Sequence, residues 1–248
     1  MAQDPRLTFV GHLDEFRRRL ILALVAVAVS AVACYFWSDH LLLLLTAPIR
    51  SVIPQVYFFS PAEAFLVRTK VACFVGLLIA SPVVLAQLWF FLSPALYGNE
   101  KKTVLPLIFV TSLLFVTGAW FCYALVMPAA LRFLIGMQTE FLRPMVSMTE
   151  YISFLSGMMF AFGCGFNLPV VVVAVVSTGL VSVKTLNKFH RHAVVLIFIA
   201  AAVLTPTPDI SGQLLLAVPM TLLFELSVAA AFFVEMARKS KAKRFVHD

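Results

Sequence analysis

A chain of 248 residues that is 62% hydrophobic and only 12% charged, with a mean hydropathy of +0.99, is not an ordinary soluble domain; about a quarter of the residues in such domains are charged. No hydrophilic stretch is long enough to build a separate soluble domain, so residues 1–248 are expected to form a single integral membrane domain. The formal net charge of +7 comes from basic residues scattered over several segments, which argues against a nucleic-acid partner.

A helix crossing a bilayer core needs about 20 apolar residues. The apolar runs predict an all-α polytopic protein with six transmembrane helices, at roughly 20–36, 69–92, 104–130, 151–176, 193–205 and 213–236. The first run follows the charged cluster "HLDEFRRRL". It is too long for the core of a cleavable leader and ends in no small-x-small site, so it reads as a retained span. The helical spacing also predicts i,i+4 pairs of Glu15 with Arg19 and of Asp14 with Arg18.

After the first span, "SDHLLLLLTAPIR" reads as a short helix capped by Ser38 and stopped at Pro48. In "FFSPAEAF", Ser60 is placed as N-cap, Pro61 at the first helical position and Glu63 at the third, which starts the second span. Gln87 and Trp89 lie toward the end of that span, Trp89 as an interface anchor. The following segment, "FFLSPALYGNEKK", holds one acid, Glu100. Pro82, Pro106, Pro128, Pro169 and Pro219 lie in or near the runs and are expected to kink them.

The fifth and sixth helices are expected to be short. The fifth run, "AVVLIFIAAAVL", is bounded by His192 and Thr205. At ~1.5 Å per residue it falls short of a ~30 Å core. His190 and His192 precede it in what reads as a solvated basic loop. Cys34, Cys73, Cys122 and Cys164 are far apart in sequence and read as small packed hydrophobes with no metal-site spacing.

Orientation follows from Lys and Arg. If the chain starts inside and alternates, the inside segments hold Arg6, Arg17, Arg18, Arg19, Lys101, Lys102, Lys184, Lys188, Arg191, Arg238, Lys239, Lys241, Lys243 and Arg244. Outside remain Arg50, Arg68, Lys70, Arg132 and Arg143. This asymmetry puts both termini in the cytoplasm.

Two polar residues fall inside apolar runs, where polarity is costly and points to function. Glu225 sits near the middle of the sixth span, expected to face a recess, and Asn167 precedes Leu168-Pro169, where it either satisfies a carbonyl freed by the kink or binds. Thr205 and Gln213 flank the turn "TPTPDISG" and are placed to hydrogen-bond a partner helix. Gln213 and Glu225 are 12 residues apart, about 120° around a helix, so Gln213 is expected to face the partner and Glu225 the recess. No nucleophile–base constellation, metal motif or cofactor motif is present, so no enzymatic activity is expected.

Taken together these stretches resemble the TatC family, the multi-spanning receptor subunit of the twin-arginine protein translocase. "HLDEFRRRL" is similar to HLxELRxRL, with Phe16 where Leu is usual. "SPAEAF" resembles SPxExF, "QLWFFLSPALYGNE" resembles QxWxFxxPxLYxxE, and "GAWFCYALVMP" resembles GxxFxYxxxxP. "TPTPDISGQ" and "PMTLLFE" fit the turn and final span. The chain departs from many members at Asn167, where they carry an acid.

The resemblance implies a receptor and assembly core in the bacterial cytoplasmic (inner) membrane that exports folded proteins using the proton-motive force. It implies that Glu15 and Glu100 bind the twin arginines of a cargo signal peptide, with Phe91 and Arg17 in the same site. It further implies single-span TatA-type and TatB-type partners, contact with membrane lipid, and self-association. The alternative that the residues leave open is an ion-coupled small-solute transporter using Glu225.

Overall fold

The computed structural model describes residues 5–50, 52–53, 56–97, 101–136, 145–178, 183–204 and 210–244. These residues are helical almost throughout. Among them the only strand-type pairing is a single parallel bridge between Tyr57 and Ser147. Five helical stretches among the described residues are long and apolar enough to cross a membrane: Gly11–Phe36, Glu63–Leu92, Leu105–Phe133, Met148–Ser177 and Leu216–Phe233. They coincide with the expected first, second, third, fourth and sixth spans. Chain contacts divide the molecule into two compact units, Met1–Leu44 with Phe65–Leu113, and Leu45–Ala64 with Leu114–Asp248.

The first unit is built on α1 (Pro5–Phe36), α2 (Ser38–Leu45), α4 (Glu63–Tyr97) and the first part of α5 (Lys101–Phe121). The 32 residues of α1 extend about 48 Å, so its charged beginning and its apolar run form one continuous rod. Helix α4 comes against it at Gly76. A Cβ there would lie 2.6 Å from the backbone nitrogen of Ala31, so only glycine permits this approach. Trp89, expected as an interface anchor, is instead buried: its Nε1–H donates to Thr111 Oγ1 at 3.1 Å and ties α4 to α5. Arg68 and Asp39 form an ion pair at 2.7 Å.

The second unit opens with the end of α2 and with α3 (Ala47–Arg50). The expected stop at Pro48 is really a restart. α2 ends at Leu45, and proline takes a place in the first turn of α3, where its missing N–H costs nothing. Ahead of α4, Glu63 Oε2 accepts the Phe59 N–H at 2.9 Å and Ser60 Oγ accepts the Ala62 N–H at 3.4 Å. The capping residues are the expected ones, but regular helix starts at Glu63 rather than Pro61.

The later part of α5 runs into a π turn, Cys122–Val126, and then α6 (Met127–Gly136). The Met127 N–H donates to the Cys122 carbonyl, five residues back. The wide turn stands directly ahead of Pro128, whose ring would otherwise press on the carbonyl four residues before it. Helices α7 (Met148–Phe166) and α8 (Leu168–Thr178) together make the fourth apolar stretch. Gly118 of α5 lets α7 approach so closely that a Cβ would stand 2.6 Å from the Phe162 carbonyl oxygen. The Tyr151 hydroxyl donates to the Leu45 carbonyl at 2.7 Å and fastens the end of α2 to α7.

The last two helices correct the expectation of shortness. α9 (Val183–Leu204) has 22 residues and α10 (Ile210–Arg244) has 35, about 52 Å. Only their apolar parts are short. Residues 183–192 hold no Gly or Pro, so the helix begins well before the apolar run, and His190 and His192 lie on it rather than in a loop. At the far end, the Lys- and Arg-rich "ARKSKAKR" continues α10, because these residues are good helix formers.

Candidate functional site

A cavity of about 610 Å³ opens in the first unit beside the charged beginning of α1. Asp14, Glu15, Arg18, Arg19 and Leu22 reach it from α1, and their spacing puts them on one face of the helix. Gln87 and Phe90, three apart and therefore neighbours on α4, complete the lining. Glu15 Oε1 accepts from both Nε (3.0 Å) and Nη2 (2.5 Å) of Arg19. The Arg19 guanidinium also lies over the Phe90 ring, 5.6 Å from its centre. The predicted Glu15–Arg19 pair is thus present, whereas Asp14 is exposed and makes no ion pair with Arg18.

An aromatic cluster flanks the same end of α1. The Phe91 ring is 5.3 Å from that of Phe16 and 6.2 Å, edge-on, from that of His12. Such spacings are those at which aromatic pairs attract. Phe16, which stands where the resembling motif usually has Leu, is therefore a direct neighbour of Phe91. A carboxylate that holds a guanidinium fork, an aromatic face that stacks on it and an open cavity form an arrangement suited to arginine.

Of the residues singled out in the sequence, Asp14, Glu15, Gln87 and Phe91 come to this end of the first unit. Arg17 is exposed and does not line the cavity. Glu100 and Thr205 lie outside the described residues. Phe90 and His12 were missed. The i,i+3 spacing of Gln87 and Phe90 within "QLWFF" was the available signal.

The remaining polar residues belong to the second unit. Gln213 Nε2 donates to the Phe198 carbonyl on α9 at 2.9 Å. Glu225 Oε1 is 3.2 Å from His190 Nε2, also on α9, and the His190 ring lies 5.6 Å from that of Phe224. Despite their 120° offset, Gln213 and Glu225 both reach α9, because two long side chains can span that arc. Asn167 closes α7: its Nδ2 donates to the Gly163 carbonyl at 3.1 Å, which the Asn167 N–H has left for Cys164. Its Oδ1 is buried and has no partner among the described residues.

The family model for "Sec-independent protein translocase protein (TatC)" matches residues 11–219. The chain belongs to the TatC family. Its TatC match takes in every residue that lines the cavity. The TatC protein of Carboxydothermus hydrogenoformans is 34% identical over 94% of this chain and 96% of its own. That of Aquifex aeolicus is 36% identical over 93% and 95%. A crystal structure of the twin arginine translocase receptor TatC superposes with a TM-score of 0.83 at 35% identity, covering 90% of this chain and 99% of that one. The fold is therefore the TatC fold, and the protein is a multi-pass membrane component of a Sec-independent translocase.

Proposed function

We propose that this TatC chain is the signal-peptide receptor and assembly core of a twin-arginine translocase, and that it takes the arginine pair of a folded cargo's signal peptide at the cavity beside α1. The observation that carries this reading is Glu15, whose carboxylate already holds a guanidinium fork next to Phe90 in an open cavity. Glu100 supplies the second carboxylate, and Phe91 with Arg17 borders the bound peptide. The peptide arrives from the cytoplasm, since 14 of the 19 basic residues fall on the segments that place both termini there.

In this reading the chain is one membrane domain of six spans in the bacterial inner membrane, with α9 as the fifth. Single-span subunits of the TatA and TatB type dock along the edge at Thr205 and Gln213, beside further copies of the chain, and the proton-motive force drives transport. The Gln213 amide oxygen can still accept a hydrogen bond from a partner while its Nε2 stays on Phe198. The test is equilibrium binding of a fluorescent twin-arginine signal peptide to the protein in nanodiscs. Binding of that peptide, with at least tenfold weaker binding of its twin-lysine version, is expected. Equal affinity for the two overturns the proposal.

A further inference from the structure

We infer that Arg19 is a built-in occupant of the arginine subsite, which an incoming guanidinium must displace from Glu15 and Phe90, so that Arg19 sets the affinity threshold for cargo. The inference rests on the proposed receptor function and adds to it a residue that governs selectivity.

The Glu15 carboxylate is not waiting empty. One oxygen takes both Nε and Nη2 of Arg19, and the guanidinium is backed by the Phe90 ring. These are the contacts that the same carboxylate and ring would offer to an arginine from outside. Arg19 reaches them from the next turn of α1, four residues on, so its effective concentration at the subsite is high and its geometry is fixed by the helix. The side chains keep an exposure of 24% for Arg19 and 36% for Glu15, so the pair is open to exchange rather than sealed. The cavity gives the displaced guanidinium room to swing toward Asp14, which lines it and has no ion pair among the described residues.

An exchange of like for like follows. An external guanidinium that replaces Arg19 forms the same fork that it breaks, so a single arginine gains little over the resident one. A peptide gains only when further contacts, such as a second arginine or an apolar stretch, add to the exchange. A lysine offers no fork and cannot match the contacts it would have to displace. The resident arginine therefore suppresses capture of isolated basic residues and sharpens selection for a complete signal.

The experiment compares wild-type protein, Arg19→Lys, Arg19→Gln, Glu15→Gln and the double variant Glu15→Gln/Arg19→Gln in nanodiscs. Affinities are measured for a twin-arginine peptide, a single-arginine peptide and a twin-lysine peptide. Arg19→Gln should bind the twin-arginine peptide about two- to sixfold more tightly, the factor by which an exposed ion pair of ordinary strength depletes the open subsite. The single-arginine peptide should gain at least as much. Arg19→Lys keeps the charge at the membrane interface and should show part of the same gain, which separates loss of the fork from loss of a charge. In the Glu15→Gln background, removing Arg19 should bring no gain. Twin-arginine binding that is unchanged or weaker in both Arg19 variants, with wild-type preference for arginine over lysine intact, overturns the inference and leaves the receptor function standing. A wild-type protein that does not distinguish arginine from lysine overturns the receptor function itself.

Discussion

The two compact units treat polarity in opposite ways. In the first, charged groups of α1 gather at a cavity and stay partly exposed, with Glu15 and Arg19 paired and Asp14 without an ion pair among the described residues. In the second, polar groups are spent on the chain itself: Tyr151 on the Leu45 carbonyl, Gln213 on the Phe198 carbonyl and Asn167 on the Gly163 carbonyl. Polar groups inside a membrane protein must find partners. Where the chain supplies them, the result is rigidity; where a cavity is left, the result is a place for a ligand. Substitutions at the cavity of the first unit should therefore change recognition, and those at the self-satisfied groups of the second should change stability.

The largest separation is expected from Glu100→Lys, a change in the recognition machinery of the proposed receptor. It should weaken twin-arginine peptide binding by about 100-fold or more, since in the proposed site it would remove a charge-assisted hydrogen bond worth ~1.5–3 kcal/mol and add a like charge. Thermal unfolding in detergent should be unchanged. A matching fall in melting temperature would erase the contrast between the units.

Gly118→Ala should show the reverse pattern. Its new Cβ would meet the Phe162 carbonyl at 2.6 Å, and overpacking of this kind costs ~1–3 kcal/mol. A lower melting temperature with peptide affinity retained is the expected result. Gly157→Ala is the control, since nothing lies within 4 Å of its Cβ position, and it should melt no lower than the wild type.

Tyr151→Phe tests the same contrast at a single hydrogen bond. The Leu45 carbonyl loses its donor in a buried setting, a loss of ~1–2 kcal/mol, readable as a lower melting temperature without change in peptide binding. The smallest effect belongs to Gln213→Ala. An interhelical hydrogen bond in a membrane averages ~0.6 kcal/mol and reaches ~1.7 at most. Crosslinking from neighbouring positions on α10 to a single-span partner should fall modestly. An undiminished crosslink would confine Gln213 to its bond with Phe198.

Much of this could be read in the sequence because the bilayer imposes a simple code. Runs of about 20 apolar residues marked the spans, and the acid–arginine junction "HLDEFRRRL" marked the cavity. What escaped was set by partners rather than by pattern. Apolarity defines how much of a helix meets lipid, not where helix begins, so α9 starts ten residues ahead of its apolar run. Trp89 looks the same in sequence whether it anchors at an interface or donates to Thr111 inside. Helical phase placed Gln213 and Glu225 on different faces, but the reach of their side chains brought both to α9. Asn167 read equally as a satisfier of the kink or as a binding group. Its amide nitrogen takes up the Gly163 carbonyl rather than the Gly165 carbonyl four residues before Pro169, and its oxygen is left without a partner among the described residues.

The π turn at Cys122–Val126 has a consequence for chain length. A bulge of this kind is a helix carrying one spare residue without disturbing the faces on either side. Losing Ala124 or Leu125, both exposed, would return the segment to ordinary α register with the buried faces before and after it still aligned. Losing one residue anywhere in 107–117 would instead turn everything downstream by about 100°. The third span of this chain can thus lose one residue at this point at little cost, and a variant lacking Leu125 should carry a regular helix in its place.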